Sequence, residues 1–284
     1  MEAPLSWRIG EVTIIRIVEL ESKSIGGFVL PQATPEAIAD IDWLRPHFLA
    51  EDGRLLLSIH ALLVETPEFR ILVDTCVGND KERTYRAWSQ RSGPFLEELE
   101  RCGAAPESVD IVLCTHLHVD HVGWNTRWVD GRWVATFPRA RYLFGREEWE
   151  YWKDRPDDAG PVIDDSVRPI VEGGLADLVD SDHRICNEVS LAPTPGHTPG
   201  HVSVHVESAG EKAVITGDLI HHPCQMVHPE WSASVDFDQD QSRRTRTDFL
   251  AECADEPILV IGSHFSGPTA GRVVRDGRVY RLDF

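Results

Sequence analysis

Thr115-His116-Leu117-His118-Val119-Asp120-His121 decides the reading of this chain. It follows the apolar run Val109-Asp110-Ile111-Val112-Leu113-Cys114, which reads as a buried strand. Three imidazoles and a carboxylate therefore gather where a strand ends and a loop opens. His116 and His118 are two apart and project to the same side of an extended segment. Asp120 and His121 follow on a turn and can face a second point beside the first. Neutral imidazole nitrogens and carboxylate oxygens are the ligands that Zn²⁺ and similar divalent metals take. The motif looks like half of a two-metal site. A lone histidine near a strand end is more often a hydrogen-bonded surface residue, and even an H-x-H pair is often incidental. The full H-x-H-x-D-H pattern after an apolar strand is much more specific.

Three later segments repeat the theme. Thr194-Pro195-Gly196-His197-Thr198-Pro199-Gly200-His201 carries histidine on a tight loop. Ala213-Val214-Ile215-Thr216-Gly217-Asp218 ends an apolar strand on a carboxylate, and Ile258-Leu259-Val260-Ile261-Gly262-Ser263-His264 ends another on a histidine. Strand ends are where active sites of layered α/β proteins collect.

In this order the four segments resemble the metallo-β-lactamase superfamily, over nearly the whole chain. The resemblance implies an α/β fold: an αββα sandwich of two mixed β-sheets flanked by helices. It implies two divalent metal ions, zinc first, with Mn, Fe or Co as alternatives. By motif position His116, His118 and His197 would hold one metal, Asp120, His121 and His264 the other, and Asp218 would bridge them. Leu72-Val73-Asp74-Thr75 resembles the superfamily's V-D-T-G element, whose aspartate orients a ligand histidine from behind; here Cys76 stands where that glycine would be. The plainer reading of Asp74 is a turn aspartate.

Composition fits a compact enzyme. The 284 residues are 42% hydrophobic and 26% charged, enough to bury a large core. No linker, charge block or low-complexity run divides them, and the candidate ligands spread from 116 to 264, so one domain over 1–284 is expected. The net charge of −19 argues against nucleic acid, whose phosphates need clustered Lys and Arg. Arg243-Arg244-Thr245-Arg246 is the only basic knot; it falls in Asp240 to Ala254, which reads as a helix, and is taken as that helix's solvated face. Cys114 and Cys186 read as core thiols. The other four cysteines show no paired spacing. Met1 to Arg8 has no apolar signal core, no run approaches the roughly 18 apolar residues of a membrane span, and a cytoplasmic protein is expected.

The coarse element reading is mostly strand. Strands are expected at Val12 to Val18, Leu55 to Glu65, Arg70 to Asp74, Val109 to Cys114 and Arg141 to Phe144. A short helix at Pro94 to Cys102 is closed by Gly103, and another runs from Arg146 to Lys153. Ser166 to Leu178 reads as helical despite Pro169 and Gly173-Gly174. Val202 to Val206 with Ala213 to Thr216, and Arg272 to Leu282 around Asp276-Gly277, read as hairpins.

Past Asp218 the sequence runs through His221-His222 into an Asp-rich loop, and the last histidine sits in Gly262-Ser263-His264-Phe265. This arrangement resembles the methyl parathion hydrolase and quorum-quenching lactonase group. The expected enzyme is a dinuclear metallohydrolase. Two cations share a water, lower its pKa from about 16 toward neutrality, and polarise the substrate oxygen. Asp218 and Asp120 are the catalytic carboxylates, with Asp120 able to pass a proton. The substrates expected are small neutral esters: lactones or aryl esters, with aryl phosphotriesters as a further class. Two alternatives on similar motifs are a mononuclear iron persulfide dioxygenase and a glyoxalase II-like thioester hydrolase. Ser24 to Leu49 reads as a long connection able to line a pocket, so Phe28, Trp43, Trp124 and His221 are the candidate substrate contacts. Packing within the loop or against a second copy is the equal alternative for its aromatics. The partner expected is a small molecule, not nucleic acid or membrane, and a homodimer is the assembly considered.

Overall fold

The computed structural model describes residues 4–23 and 25–284. Met1 to Ala3 and Ser24, the first residue of the expected long connection, lie outside them. The chain forms two compact units, each discontinuous in sequence: residues 1–19 with 59–181, and residues 20–58 with 182–284.

In the first unit the strands are β1 (Ser6–Ile9), β2 (Val12–Ser22), β3 (Leu57–Glu65), β4 (Arg70–Val73), β5 (Ile111–Leu113), β6 (Thr126–Val129), β7 (Arg132–Ala135), β8 (Arg141–Gly145) and β9 (Ala176–Val179). Seven of them make a mixed sheet in the order β1-β2-β3-β4-β5-β8-β9, and β6-β7 is a separate hairpin. β3 and β4 are antiparallel, while β4-β5, β5-β8 and β8-β9 are parallel. Leu62, Leu63, Val64, Ile71, Leu72, Val73, Val112 and Leu113 are all buried, as strands inside a parallel sheet require. The sheet thus delivers the C-terminal ends of β4 and β5 side by side, Val73 opposite Leu113. Asp74 and the histidine motif follow directly.

Ser166 to Leu178 divides where the sequence expectation ran it together. A π-helical turn, Ile163–Val167, leads into a helix at Arg168–Glu172. Proline is tolerated at that helix start. Gly173-Gly174, the latter at φ +71°, stops it, and the rest becomes β9.

The second unit holds a six-stranded mixed sheet in chain order: β10 (Val189–Pro193), β11 (Val202–Ser208), β12 (Glu211–Ile215), β13 (Ile258–Ile261), β14 (Ala270–Asp276) and β15 (Val279–Asp283). Only β12-β13 is parallel, because the long helix Gln239–Cys253 lies in the connection that joins them. Asp238 caps that helix, accepting the Gln241 N–H at 2.9 Å. Phe249, Leu250 and Cys253 on its inner face join a cluster with Leu30, Ile38, Leu44 and Phe48. Selected apolar side chains of the connection before Leu49 therefore pack into the core of this unit.

The Arg-rich stretch corrects the sequence expectation. Arg244 is exposed, but Arg246 is fully buried. Its guanidinium donates to the carbonyls of Pro229 (3.0 Å), Leu219 (3.1 Å) and Trp231 (2.5 Å) and to the Ser242 hydroxyl (3.2 Å). Helical period places position 246 on the face of Phe249, Leu250 and Cys253, so the side chain is drawn inward and serves as a cationic staple for three loop carbonyls. All six cysteines are free thiols, and Cys186 is half-buried. Among the described residues no helix is long and apolar enough to cross a membrane.

Arg246→Ala should cost about 3 kcal/mol, because three carbonyls around a fully buried guanidinium lose their donor. Arg244→Ala should stay within about 0.5 kcal/mol. Urea denaturation of both variants checks this; equal midpoints would show that the staple contributes nothing.

Candidate metal centre

In the first unit the site is built around Asp74. The residue turns out of β4 at φ +58°, and its N–H bonds to Leu113 O (2.8 Å). Its carboxylate is buried and crowded with donors. The Thr115 N–H reaches Oδ1 at 2.8 Å, the Thr115 hydroxyl lies 3.0 Å from Oδ2, and His121 Nδ1 lies 2.8 Å from Oδ2. A carboxylate accepts only, so the His121 proton is assigned to Nδ1 and its Nε2 carries a lone pair. Thr115 Oγ1 also sits 3.1 Å from His116 Nδ1. With its single proton given to Asp74, that hydroxyl accepts from His116 Nδ1–H. One aspartate thus sets two tautomers, the second through a threonine. The rings of His116 and His118 are 4.7 Å apart and those of His116 and His121 4.1 Å. His121 Nε2 lies 3.7 Å from Asp120 Oδ1. Cys76, at φ +53°, holds the backbone shape for which the V-D-T-G pattern uses glycine.

Glu148 also supports this cluster and carried no signal in the sequence. It is fully buried and accepts the Leu117 N–H (3.2 Å) and the Trp152 indole N–H (3.1 Å). Trp152 in turn packs edge-on to His118, centroids 5.4 Å apart. Trp124 is buried, stacked on Phe95 at 5.5 Å, with its indole N–H on Glu19 at 2.8 Å. It stands inside this unit's core. Burial pushes the Glu19 carboxyl up, against the pull of hydrogen bonds from Val77, Gly78 and Trp124.

In the second unit the organiser is Asp218, on the turn after β12. Gly217 before it has φ +54°, and a Cβ there would come within 2.5 Å of His201 Nε2; only glycine fits. His201 Nε2 accepts the Asp218 N–H (2.8 Å), so His201 supports the turn. Three other imidazoles converge on the Asp218 carboxylate. His264 Nε2 is 3.0 Å from Oδ1, and His221 Nε2 and His197 Nε2 are 3.2 and 3.3 Å from Oδ2. Behind two of these rings stand pure acceptors: Ser58 O, 2.9 Å from His264 Nδ1, and Asp236 Oδ1, 2.8 Å from His197 Nδ1. Each Nδ1 is therefore assigned the proton, and each Nε2 turns a lone pair toward an anion. Lone pairs and a carboxylate that close repel unless a cation joins them, so the donor set fits a divalent metal. Ligand atoms of His197, Asp218 and His221 all lie within 4.8 Å of one another.

The structure places His221, a candidate substrate contact, inside this cluster. Its ring stacks on His264 at 5.9 Å, and burial favours its neutral form. His222 turns away: Nε2 faces Phe48 O at 2.8 Å and Nδ1 accepts the Cys224 N–H. Burial pushes its pKa down to about 4. His228 stacks on Trp231. Phe28 is 67% exposed, and Trp43 is half-buried, edge-on to Phe48. Asp236 was hidden in the Asp-rich loop, where no spacing singles out one aspartate.

A model of the metallo-β-lactamase superfamily matches residues 54–264. The chain belongs to the metallo-β-lactamase superfamily. The described residues include groups of His and Asp ligand atoms close enough to hold a metal ion, among them His197, Asp218 and His221 of the second unit. It is 30% identical over 172 residues to an N-acyl homoserine lactonase of a Bacillus species, a match covering 55% of this chain and 61% of that one. The chain thus spans about three fifths of the curated relative's length. Among solved structures it is similar to AidC, a dizinc quorum-quenching lactonase in complex with a product (22% identity, TM-score 0.79, 98% of this chain and 96% of that one). It is also similar to the hydrolase AbOPH of the β-lactamase superfamily (24% identity, TM-score 0.80, 100% and 98%). These likenesses show that the mixed sheets and flanking helices form the superfamily's fold.

Asp74→Ala should weaken metal binding by about 10–100-fold, the usual cost of removing a carboxylate behind a ligand histidine. Competition with a chromophoric chelator measures it. Wild-type affinity would sever Asp74 from the metal site.

Proposed function

We propose that the two units act as one hydrolase domain, 1–284, with a dinuclear centre that cleaves small neutral esters, lactones above all. His116, His118 and His197 hold one metal, Asp120, His121 and His264 the other, and Asp218 both; the superfamily's ligand order along the sequence supports this set. The observation that carries the reading is the Asp218 cluster. Three imidazole Nε2 atoms lie within 3.3 Å of one carboxylate, and buried acceptors behind two of them direct their lone pairs inward. Zinc is the metal proposed, since the AidC structure names a dizinc site.

Two divalent cations there would lower the pKa of a shared water toward neutrality and polarise a carbonyl oxygen. The chain's own residues do the rest. Asp218 and Asp120 neutralise charge, and Asp120, the more open of the two, takes up and returns a proton. His221 carries no metal in this reading. It faces the Asp218 edge of the site and offers its imidazole to a substrate oxygen. No serine nucleophile is required.

The substrate class rests on the lactonase relative and on charge. A net −19 disfavours polyanions by long-range repulsion and tolerates a neutral ester. Phe28 and Trp43 are proposed to face the acyl part, on a small molecule as the only partner besides a second copy of the chain. The six free thiols support a reducing, cytoplasmic setting.

The decisive experiment is a screen of the zinc-loaded protein against acyl-homoserine lactones, aryl esters, aryl phosphotriesters and an aryl phosphodiester. Lactones or aryl esters should exceed the phosphodiester at least about tenfold in kcat/KM, or about 1.4 kcal/mol in barrier. Dominant phosphodiesterase activity would overturn the substrate class, and oxygen consumption with a single iron would overturn the hydrolase.

Asp218→Ala should lower kcat/KM by about three orders of magnitude or more, as both metals lose a shared ligand. Near wild-type turnover would unseat it. Trp43→Ala should change the ratio of kcat/KM for a short and a long acyl lactone at constant metal content; an unchanged ratio would remove Trp43 from the pocket.

A further inference from the structure

We propose that Asp236 is a positioning residue for His197, the second unit's counterpart of Asp74 behind His121. The inference rests on the proposed reading of His197 as a metal ligand. Its basis is a carboxylate fixed on both oxygens. Oδ1 faces His197 Nδ1 at 2.8 Å, with the Asp236 side chain fully enclosed and that of His197 1% exposed. Oδ2 accepts the Ala233 N–H at 3.0 Å. With both oxygens engaged, the carboxylate cannot swing away, and it locks the ring's rotation and its tautomer together.

The loop that carries Asp236 is tied to the loop that carries His197 by more than this bond. The Phe237 N–H donates to His197 O and the Asp238 N–H to Gly196 O, both at 2.9 Å. Thr245 Oγ1 reaches Pro195 O at 2.8 Å. Gly196, at φ +133°, passes so near that a Cβ would meet Ser242 N at 2.3 Å. Two backbone bonds and a close helix contact would hold the loop without any side chain at 236. What they cannot do is choose which ring nitrogen bears the proton. Asp236 makes that choice and adds electron density to the imidazole, as a carboxylate behind a metal-binding histidine does.

The geometry matches that of the first unit: each has a buried carboxylate 2.8 Å behind one histidine Nδ1. The two differ in how they are fed. Asp74 also gathers Thr115 and, through it, His116, whereas the histidine that Asp236 hydrogen-bonds is His197. Loss of Asp236 should therefore disturb one metal position and leave the other near wild type.

The test uses the full chain as wild type, Asp236→Asn and Asp236→Ala, each stripped of metal and titrated with Zn²⁺ or Co²⁺. Three quantities are read: stepwise affinity by chelator competition, the visible cobalt spectrum, and Tm of the metal-free protein. Asp236→Ala should weaken one of two binding steps about 10–100-fold and shift the cobalt bands. Asp236→Asn, which keeps an acceptor but loses the charge, should fall between. Unchanged affinity and spectrum in Asp236→Ala, with or without a lower metal-free Tm, would overturn the proposal, because a merely structural aspartate moves only stability. If the alanine variant does not fold, wild-type affinity and spectrum in Asp236→Asn overturn it instead. A wild type that binds no metal sinks both readings. A wild type that binds two metals but cleaves no lactone sinks only the substrate assignment, and the metal titrations still judge Asp236.

Discussion

A carboxylate that can only accept is the constraint on which both clusters depend. Imidazole has two nitrogens and, when neutral, one proton. Placing an aspartate or a peptide carbonyl behind Nδ1 spends that proton outside the site and leaves Nε2 with its lone pair. Asp74 does this for His121, Asp236 for His197 and Ser58 O for His264. The cost is an assembly of lone pairs and anions that water would ordinarily disperse. Burial keeps water away, and a divalent cation resolves the repulsion. The surrounding structure serves to keep those rings from turning.

Backbone geometry does much of that work. β4 and β5 run parallel and end together, so Asp74 and Thr115 meet directly beyond the two strand ends. In the other unit β12 and β13 are the parallel pair, and Asp218 and His264 follow their ends. Each cluster thus grows from the C-terminal ends of two adjacent parallel strands, the place where an open sheet leaves side chains unclaimed by ladder or core. The remaining histidines arrive on loops held by glycine and by side chains such as Glu148 and Arg246.

The strand-end motifs were legible because their signal is local: an apolar run stops and ligand-type residues follow within a few positions. Asp74 was legible for the same reason. Asp236, Glu148 and Glu19 were not. Each acts across 30 or more positions, on His197, Leu117 and Trp124 respectively, and a lone acidic residue on a polar stretch or a helix looks like any solvated one. Arg246 misled for a related reason. A run of arginines reads as surface, and only the helical phase set by Phe249 and Leu250 reveals that one of them points inward. Trp124 stood next to the motif in sequence, yet its indole is committed to Glu19. The element pattern was read well where periodicity was clean and failed at Ser166 to Leu178, where one stretch turns from helix to strand at a glycine pair.

The interleaving of the two units along the chain bears on how the protein is made. The first unit has all its residues once position 181 has been synthesised. Residues 20–58 belong to the other unit and emerge early, with Leu30, Ile38, Leu44 and Phe48 destined for a core whose main sheet is not yet made. At about 5–20 residues per second, the wait for the remaining strands lasts on the order of ten seconds or more. During that interval a bare apolar segment hangs from a finished unit, a natural client for a chaperone and a natural starting point for aggregation when expression outruns folding.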